Sequence, residues 1–258
     1  MNKDKLNLAR WDQRIRRADE LAVVYPFAAD VLRFYQRVAT FQKGLYYYLR
    51  ESSAANLGHL LPKLPDYLAE IETSAPEPVA QRAREWKSQG ADRSHEMLAS
   101  YWRATSAAGD PESLLASLFL QPYAEHLAEQ AETAPRHETP AVCPFCARKP
   151  VVGVLRPEGD GAKRSLICLM CSTEWPYGRI ICPACGEQTV ENLAIYSADQ
   201  FQHVRVEACG TCGCYIKTVD LTRNGRAVPI VDELATIPLN LWAQQQGYAK
   251  VQTNILGI

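Results

Sequence analysis

Eight of the nine cysteines in this 258-residue sequence form four Cys-x-x-Cys pairs. The two sulfurs of such a pair can bind one metal ion, so four pairs supply the ligands of two four-cysteine sites. We therefore predict two metal sites in the C-terminal half of the chain. The candidate ligands are Cys143, Cys146, Cys168, Cys171, Cys182, Cys185, Cys209 and Cys212.

An internal repeat predicts how these ligands are shared between the two sites. The motif Cys-Pro-x-Cys begins at Cys143 and begins again 39 positions later at Cys182. Each repeat contains two cysteine pairs with a predicted hairpin between them. The interval between the pairs is 21 residues in the first repeat and 23 in the second. Because a hairpin reverses the chain, the two pairs of one repeat should share an ion. The alternative is a cross-braced arrangement, in which the first pair joins the third and the second joins the fourth.

The residues that follow the pairs predict a difference between the two sites. Gly186 and Gly213 each follow a second cysteine, where a positive φ lets backbone N–H groups point at sulfur. Ala147 and Ser172 hold the equivalent places in the first repeat. The ninth cysteine, Cys214, is interpreted as a spare residue, and its role stays open. Thiol–disulfide exchange would need a helix after the first pair, where the sequence predicts strands instead.

The two halves of the sequence predict an α+β protein of several domains. Residues 1–139 contain no cysteine and carry apolar residues at helical spacing, which predicts a helical domain. A polar, proline-containing stretch at 133–141 is typical of a linker. Residues 140–176 and 177–258 should then form two tandem four-cysteine β modules of the zinc-ribbon type. The second module should end in a helical tail.

Secondary structure can be predicted segment by segment. Six segments have helical periodicity or helix-start prolines. They are 10–24, 26–50, 65–73, 76–88, 92–105 and 111–132. Pro122 should kink or split the last of them. Two hairpins should follow, which join 151–155 to 163–167 and 192–196 to 202–206. The stretch 232–242 should be helical, with an interruption at Pro238.

Composition limits the partners of the protein. The formal net charge is −1, and residues 140–258 carry 11 Lys+Arg against 10 Asp+Glu. Basic and aromatic residues are not interleaved, so we expect no nucleic-acid binding. We expect no membrane insertion, because no apolar stretch approaches the roughly 18 residues that span a bilayer. The N-terminus lacks an apolar leader, which predicts a cytoplasmic protein. Thiols stay reduced there, which favours metal sites over disulfides.

Four thiolates in a tetrahedron suit either zinc or iron. Zinc would stabilise the small hairpins, whereas iron would add one-electron redox capacity. The spacing does not choose between the two metals. The cysteine pairs alone leave two functions open: a zinc-ribbon adaptor for nucleic acid, and an electron-transfer enzyme or redox partner, which requires iron. No catalytic motif accompanies the cysteines, so we predict that the protein is not an enzyme.

Longer motifs around the pairs are more specific than the pairs themselves. They are Cys168-x-x-Cys171-Ser-Thr-Glu-Trp175-(x)3-Arg179, Cys209-x-x-Cys212-Gly-x-Tyr-Ile-Lys217, and the tail Asp232-Glu-Leu-Ala-Thr-Ile-Pro-Leu-Asn-Leu-Trp242. Together these motifs closely resemble the FdhE family, the accessory proteins of formate dehydrogenase formation. The resemblance extends weakly through the helical half.

The resemblance implies a helical domain followed by two rubredoxin-like domains with iron as the metal. It implies a cytoplasmic maturation factor for respiratory formate dehydrogenase, which contacts the catalytic subunit before export and adjusts a redox state. Ala147 departs from the glycine that is usual after the first pair, which puts equal metal affinity of the two sites in doubt. Trp175 and Arg179 are candidates for the partner surface, although Trp175 is favoured as a packing residue between the modules. The oligomeric state stays open.

Overall fold

Helices form the N-terminal part of the protein. The structure is a computed structural model that describes residues 3–52, 56–103, 111–131 and 141–258. The helices of this part are α1 (Lys3–Val24), α2 (Ala29–Glu51), α3 (Leu57–Leu60), α4 (Leu64–Ser74), α5 (Glu77–Lys87), α6 (Gly90–Arg103) and α7 (Pro111–Gln130). The predicted linker at 133–141, apart from its last residue, and the predicted helix ends at 104–105 and 132 lie outside the described residues.

Helix α2 lies at the centre of this helical part. Its buried residues recur every three or four positions, at Leu32, Tyr35, Val38, Gln42, Leu45 and Leu49. This spacing places them on one face of a helix, and α1, α4 and α7 pack against α2. The apolar periodicity of the sequence therefore predicted both the helix and its buried face.

Pro122 lies inside α7 but does not split it. The helix is continuous from Pro111 to Gln130, so a split at this proline is ruled out. Proline has no N–H to donate to the carbonyl four residues earlier, which belongs to Leu118. That carbonyl instead accepts a hydrogen bond of 2.7 Å from the Gln42 side chain of α2. The helix tolerates the proline because a neighbouring helix supplies the missing donor.

Seven strands of the C-terminal part form one sheet. They are β1 (Pro150–Glu158), β2 (Gly161–Cys168), β3 (Glu174–Pro176), β4 (Leu193–Ser197), β5 (Val204–Cys209), β6 (Cys214–Asp220) and β7 (Ala249–Lys250). The order across the sheet is β3-β2-β1-β6-β5-β4, and β7 pairs with the start of β6. Strands β1 and β2 form an antiparallel hairpin, as do β4 and β5, which confirms both predicted hairpins.

A parallel contact between β1 and β6 joins the two modules. Gly153 of β1 lies opposite Thr218 of β6. A Cβ atom on Gly153 would lie only 2.3 Å from the Thr218 Oγ1 atom, so the close approach of the two strands requires glycine. The strands of both modules consequently belong to one sheet. The domain borders proposed at 139/140 and 176/177 stay predictions.

Two helices, α8 (Pro229–Ala235) and α9 (Ile237–Gln245), lie between β6 and β7 in the sequence. They bear out the predicted helical tail and its interruption near Pro238. The fully buried Lys217 of β6 holds their junction. Its ammonium group donates to the Glu233 carbonyl at 2.6 Å and to the Thr236 hydroxyl at 3.1 Å, and it lies 2.9 Å from the Glu233 carboxylate.

Asp232 of α8 connects the helical part to the sheet. Arg17 of α1 donates two hydrogen bonds to its carboxylate, of 2.6 and 3.0 Å. His203 Nε2 lies 2.8 Å from the same carboxylate, and the Val228 N–H donates to it at 2.7 Å. Burial alone would raise the pKa of Asp232, but the hydrogen bonds from His203 and Arg17 outweigh it and lower that pKa.

The predicted fold class is confirmed. A helical region precedes a sheet region that carries two four-cysteine clusters. In the described part of the chain, no helix has the length and apolar character needed to cross a membrane.

Replacement of Asp232 by alanine should lower the free energy of unfolding by about 3 kcal/mol, because the largely buried Arg17 guanidinium loses its buried partner and keeps only the exposed Glu20 carboxylate. The matched control is Asp30→Ala, since Asp30 pairs with Arg33 on the exposed surface of α2. That control should change the free energy by less than about 0.5 kcal/mol. Chemical denaturation followed by circular dichroism measures both values.

The effect of Asp232→Ala should also depend on pH. The pKa of Asp232 is lowered in the folded state, so its contribution is fully present above the unfolded-state pKa of about 4. It is lost as the pH falls through the lower folded-state pKa. The free energies of unfolding of the wild type and of Asp232→Ala should therefore approach each other in strong acid. A difference between the two free energies that stays constant from pH 7 to pH 2 would contradict this prediction.

Candidate metal centres

The hairpins bring the cysteine pairs together in the predicted groups. Cys143 and Cys146 precede β1, and β2 returns the chain to them at Cys168. The sulfurs of the first and second pairs lie within 4.8 Å of one another, and so do those of the third and fourth pairs. We call these sets the first cluster (Cys143, Cys146, Cys168, Cys171) and the second cluster (Cys182, Cys185, Cys209, Cys212). The cross-braced alternative is therefore wrong.

The sulfur distances fit a tetrahedral ion. Four sulfurs about 2.3 Å from one centre would lie about 3.8 Å apart, which is the edge of a regular tetrahedron. In the first cluster three separations are 3.3, 3.5 and 3.7 Å. In the second cluster two separations are 3.8 Å. Each cluster is therefore a donor set of the size and chemistry that zinc or iron accepts, and neither metal is favoured by it.

Backbone turns hold the sulfurs in place. The N–H of Met170 donates to Cys168 Sγ at 3.3 Å, and the N–H of Ala184 donates to Cys182 Sγ at 3.4 Å. Such bonds orient the sulfur and compensate part of a thiolate's charge. The Thr173 hydroxyl adds a contact of 3.1 Å to a sulfur of the first cluster.

All four turns end in a residue with positive φ, which the glycine pattern predicted for Gly186 and Gly213 but not for Ala147 and Ser172. Gly186 and Gly213 have φ of 79° and 67°, whereas Ala147 and Ser172 adopt 59° and 53°. Residues with a side chain are disfavoured in this left-handed region by roughly 1–2 kcal/mol. The turns of the first cluster are consequently strained, and those of the second are not.

The two clusters also differ in their exposure. Cys143, Cys168 and Cys171 of the first cluster are buried, and its fourth cysteine is partly buried. In the second cluster Cys185 is exposed and Cys212 is only partly buried. Solvent and other molecules therefore reach the second cluster more readily.

The helical part contacts the turn of the first cluster directly. Ser172 donates to the Glu125 carboxylate of α7 at 2.6 Å and accepts from Arg14 of α1 at 3.1 Å. Arg14 also pairs with Glu125 at 2.8 Å, and both side chains are buried. The Gln121 side chain of α7 donates to the Leu169 carbonyl at 3.3 Å. Ser172 belongs to a motif of the sequence, but no local pattern marked Arg14, Gln121 or Glu125 as contacts of this turn.

The thiols of the first cluster do not titrate independently. Hydrogen bonds with the neighbouring thiols lower the pKa of Cys143, whereas burial raises the pKa of Cys168 well above its usual value. The pKa of Cys146 is lowered as well and that of Cys171 is raised, so the cluster favours thiolates at its first pair and opposes them at its second. Further thiolates need a cation at its centre, which is the chemistry of a four-cysteine metal site.

The remaining candidates from the sequence take other positions. Cys214 is partly buried, points towards the Cys212 carbonyl at 3.7 Å, and is not one of the four sulfurs of the second cluster. Trp175 is buried in β3 and Arg179 is exposed, and the predicted position of Trp175 between the modules stays a prediction. The motif residues Lys217 and Asp232 are anchors of the fold and not ligands, which the motif alone did not reveal.

Comparisons with known proteins agree with this geometry. Residues 142–179 match the family model described as FdhE, central domain, and residues 180–256 match that of FdhE, C-terminal domain. The resemblance to the FdhE family is confirmed. The two matched segments meet between the two clusters. The alternative of a nucleic-acid adaptor gains no support from these matches.

Individual relatives extend the comparison. A protein FdhE homolog of Aquifex aeolicus is 34% identical over 141 residues, which are 54% of this chain and 50% of that protein. A protein FdhE homolog of Edwardsiella ictaluri is 32% identical over 139 residues, which are 54% of this chain and 44% of that protein. The matches with these curated relatives thus span about half their length.

The crystal structure of the FdhE protein from Pseudomonas aeruginosa has the same fold. It aligns with a TM-score of 0.75 over 96% of both chains, at 23% sequence identity. The fold likeness therefore includes the helical part, which neither family model covers.

Serine substitutions should separate the two clusters. Cys143→Ser should remove one metal ion per chain and leave the second cluster loaded, and Cys182→Ser should do the reverse, because the sulfurs lie in two separate sets. Elemental analysis of protein purified without oxygen measures the metal content. Cys214→Ser is the matched control and should lose no metal. Loss of both ions from either single change would contradict the grouping.

The strain at Ala147 gives a second prediction. Ala147→Gly should remove the steric strain of a side chain at positive φ. It should raise the free energy of unfolding of the metal-loaded protein by up to about 1 kcal/mol. The first cluster should then release its metal to a chelator more slowly. Ala184→Gly, within a turn of the second cluster but without positive φ, is the control and should give no gain. Equal effects of the two changes would show that the φ of residue 147 is irrelevant.

Proposed function

We propose that this chain is a metal-binding accessory protein that serves the formation of formate dehydrogenase by binding its catalytic subunit. The observation that carries the proposal is the placement of two four-cysteine clusters within residues 142–256, which match the FdhE central and C-terminal domains. We propose further that it acts in the cytoplasm and is not itself an enzyme. The residue motifs that resemble the FdhE family support each of these statements.

Each cluster would hold one metal ion through its four cysteines, iron by the family resemblance or zinc by the same donor chemistry. Zinc would be structural in both clusters, whereas iron would supply one-electron chemistry. The environments of the clusters suggest different tasks. The first is buried and bound to α1 and α7 through Ser172, so its loading would stabilise the docking of the helical part. The second, with the exposed Cys185, is the better placed for exchange with a partner.

Complementation tests this proposal. Deletion of the gene in the source organism should abolish respiratory formate dehydrogenase activity, and the wild-type chain should restore it. The double variant Cys143→Ser/Cys182→Ser should not restore activity, because it removes a ligand from each cluster. Cys214→Ser, outside both clusters, should restore it fully. Undiminished formate dehydrogenase activity in the deletion strain would refute the proposal.

A further inference from the structure

Strand β4 is an unpaired edge of the sheet. It pairs with β5 on one side, and no strand within residues 141–258 pairs with its other side. The Gly210 N–H donates to the Asn192 carbonyl at 2.8 Å, just before the β4–β5 ladder begins. Because hydrogen-bonded pairs alternate along an antiparallel ladder, Leu193, Ile195 and Ser197 direct their N–H and C=O groups away from β5.

The internal repeat shows what such an edge accepts. In the first module the strand equivalent to β4 is β1, and Gly153 and Leu155 correspond to Ile195 and Ser197 in the hairpin register. The same edge of β1 is paired in parallel with β6, and the Leu155 carbonyl accepts from the Leu221 N–H at 2.9 Å. The edge of the first module is therefore filled by β6 of the second module, whereas the equivalent edge of the second module, at β4, is open.

A second copy of this chain is a poor occupant of the open edge. If a second copy filled the edge as β6 fills that of β1, it would use its strand equivalent to β6, which is β3 in the internal repeat. Strand β3 lies at the end of the sheet opposite to β4. The Tyr177 N–H donates to Arg164 O in the β2–β3 ladder, so Glu174 and Pro176 are the outward-facing residues of β3. Pro176 has no N–H to offer, and proline at such a position blocks strand addition. Head-to-tail pairing of two copies is thereby disfavoured.

An apolar groove of about 500 Å³ borders the same edge and reaches Cys182 and Cys209 of the second cluster. Three large apolar side chains at the groove are half or more exposed: Ile180 at 50%, Val190 at 60% and Ile195 at 57%. On the opposite face of β4, Tyr196 packs against Trp242 of α9 with ring centres 4.7 Å apart. One face of β4 is thus packed against α9, and the face that borders the groove is exposed and apolar.

The charges of the groove select the chemistry of an occupant. Three arginines line it, Arg164, Arg179 and Arg205, against the single carboxylate of Glu207. Arg164 and Arg205 both pair with Glu207 at 2.6 Å. The Arg164 Nε atom is buried and has no hydrogen-bond partner among the described residues. The surplus of positive charge favours a segment that carries a carboxylate.

We propose that β4 docks an extended segment of another polypeptide, which adds to the sheet as β6 adds to β1. Outward-facing main-chain groups of β4 would bind its backbone. The groove would take its apolar side chains and an acidic one. This mode places the segment beside the second, exposed cluster. The identity of the partner as the formate dehydrogenase catalytic subunit rests on the function proposed above, whereas the docking edge itself does not.

A peptide probe tests the edge without reference to that partner. The probe is a fluorescein-labelled, blocked hexapeptide of sequence Val-Thr-Val-Asp-Val-Thr, and its counterpart carries Lys in place of Asp. Titrated with the full metal-loaded chain and followed by anisotropy, the Asp probe should bind roughly tenfold or more tightly than the Lys probe. Equal binding of the two probes, or no saturable binding of either, would overturn the proposal.

Variants of β4 test whether the probe binds through main-chain hydrogen bonds to this strand. Ile195→Pro removes an outward-facing N–H and should abolish binding of the Asp probe. Ile195→Thr keeps that N–H and a β-branched side chain, and should weaken binding only a few-fold. The metal content of both variants must equal that of the wild type, which shows that the second cluster remains intact. Binding by Ile195→Pro at wild-type affinity would overturn the proposal.

The catalytic subunit distinguishes this inference from the proposed function. In a complex with that subunit, hydrogen exchange of the Ile195 and Ser197 amides should slow by roughly tenfold or more. A complex that leaves both amides unprotected would overturn the docking edge for this partner and uphold the proposed function. Absence of any complex would count against the proposed function, and the peptide titration would then decide on the edge.

Discussion

The parallel pairing of β1 with β6 makes one sheet from two repeated hairpin modules. It depends on Gly153, since any side chain there would collide with Thr218. The sheet in turn carries Lys217, which holds the junction of α8 and α9 from a fully buried position. Helix α8 then presents Asp232 to Arg17 of α1. A chain of buried polar contacts therefore runs from the contact between the modules to the helical part.

The same arrangement gives the two clusters different surroundings. The first lies against α1 and α7, and its turn shares hydrogen bonds with Glu125 and Arg14. Among the described residues, the turns of the second cluster share no such hydrogen bond with the helical part, and this cluster includes the exposed Cys185. A duplicated module has thus become two unequal sites. The strained turns at Ala147 and Ser172 belong to the covered cluster, where tertiary contacts can hold a left-handed residue that an isolated turn would disfavour.

The sequence was most informative where its signals are local. The Cys-x-x-Cys repeat predicted the grouping of the sulfurs, and the helical periodicity and turn residues predicted nearly every described helix and both hairpins. Contacts between distant segments were not predicted. No residue near Gly153 indicates that Thr218 is its partner. The sequence around Gln42 likewise does not indicate that its side chain donates to the Leu118 carbonyl, which Pro122 leaves without a helical donor. The motifs that contain Asp232 and Lys217 are visible in the sequence, but only the structure shows that these two residues anchor one element to another.

X-ray absorption at the metal edge, combined with elemental analysis, tests whether each cluster binds one metal ion through four sulfurs. The protein should be purified without oxygen from cells supplied with iron and zinc. The account predicts two ions per chain, each with four sulfur neighbours at about 2.3 Å and no nitrogen or oxygen neighbour. One ion per chain, or a mixture of sulfur with nitrogen or oxygen ligands, would contradict it.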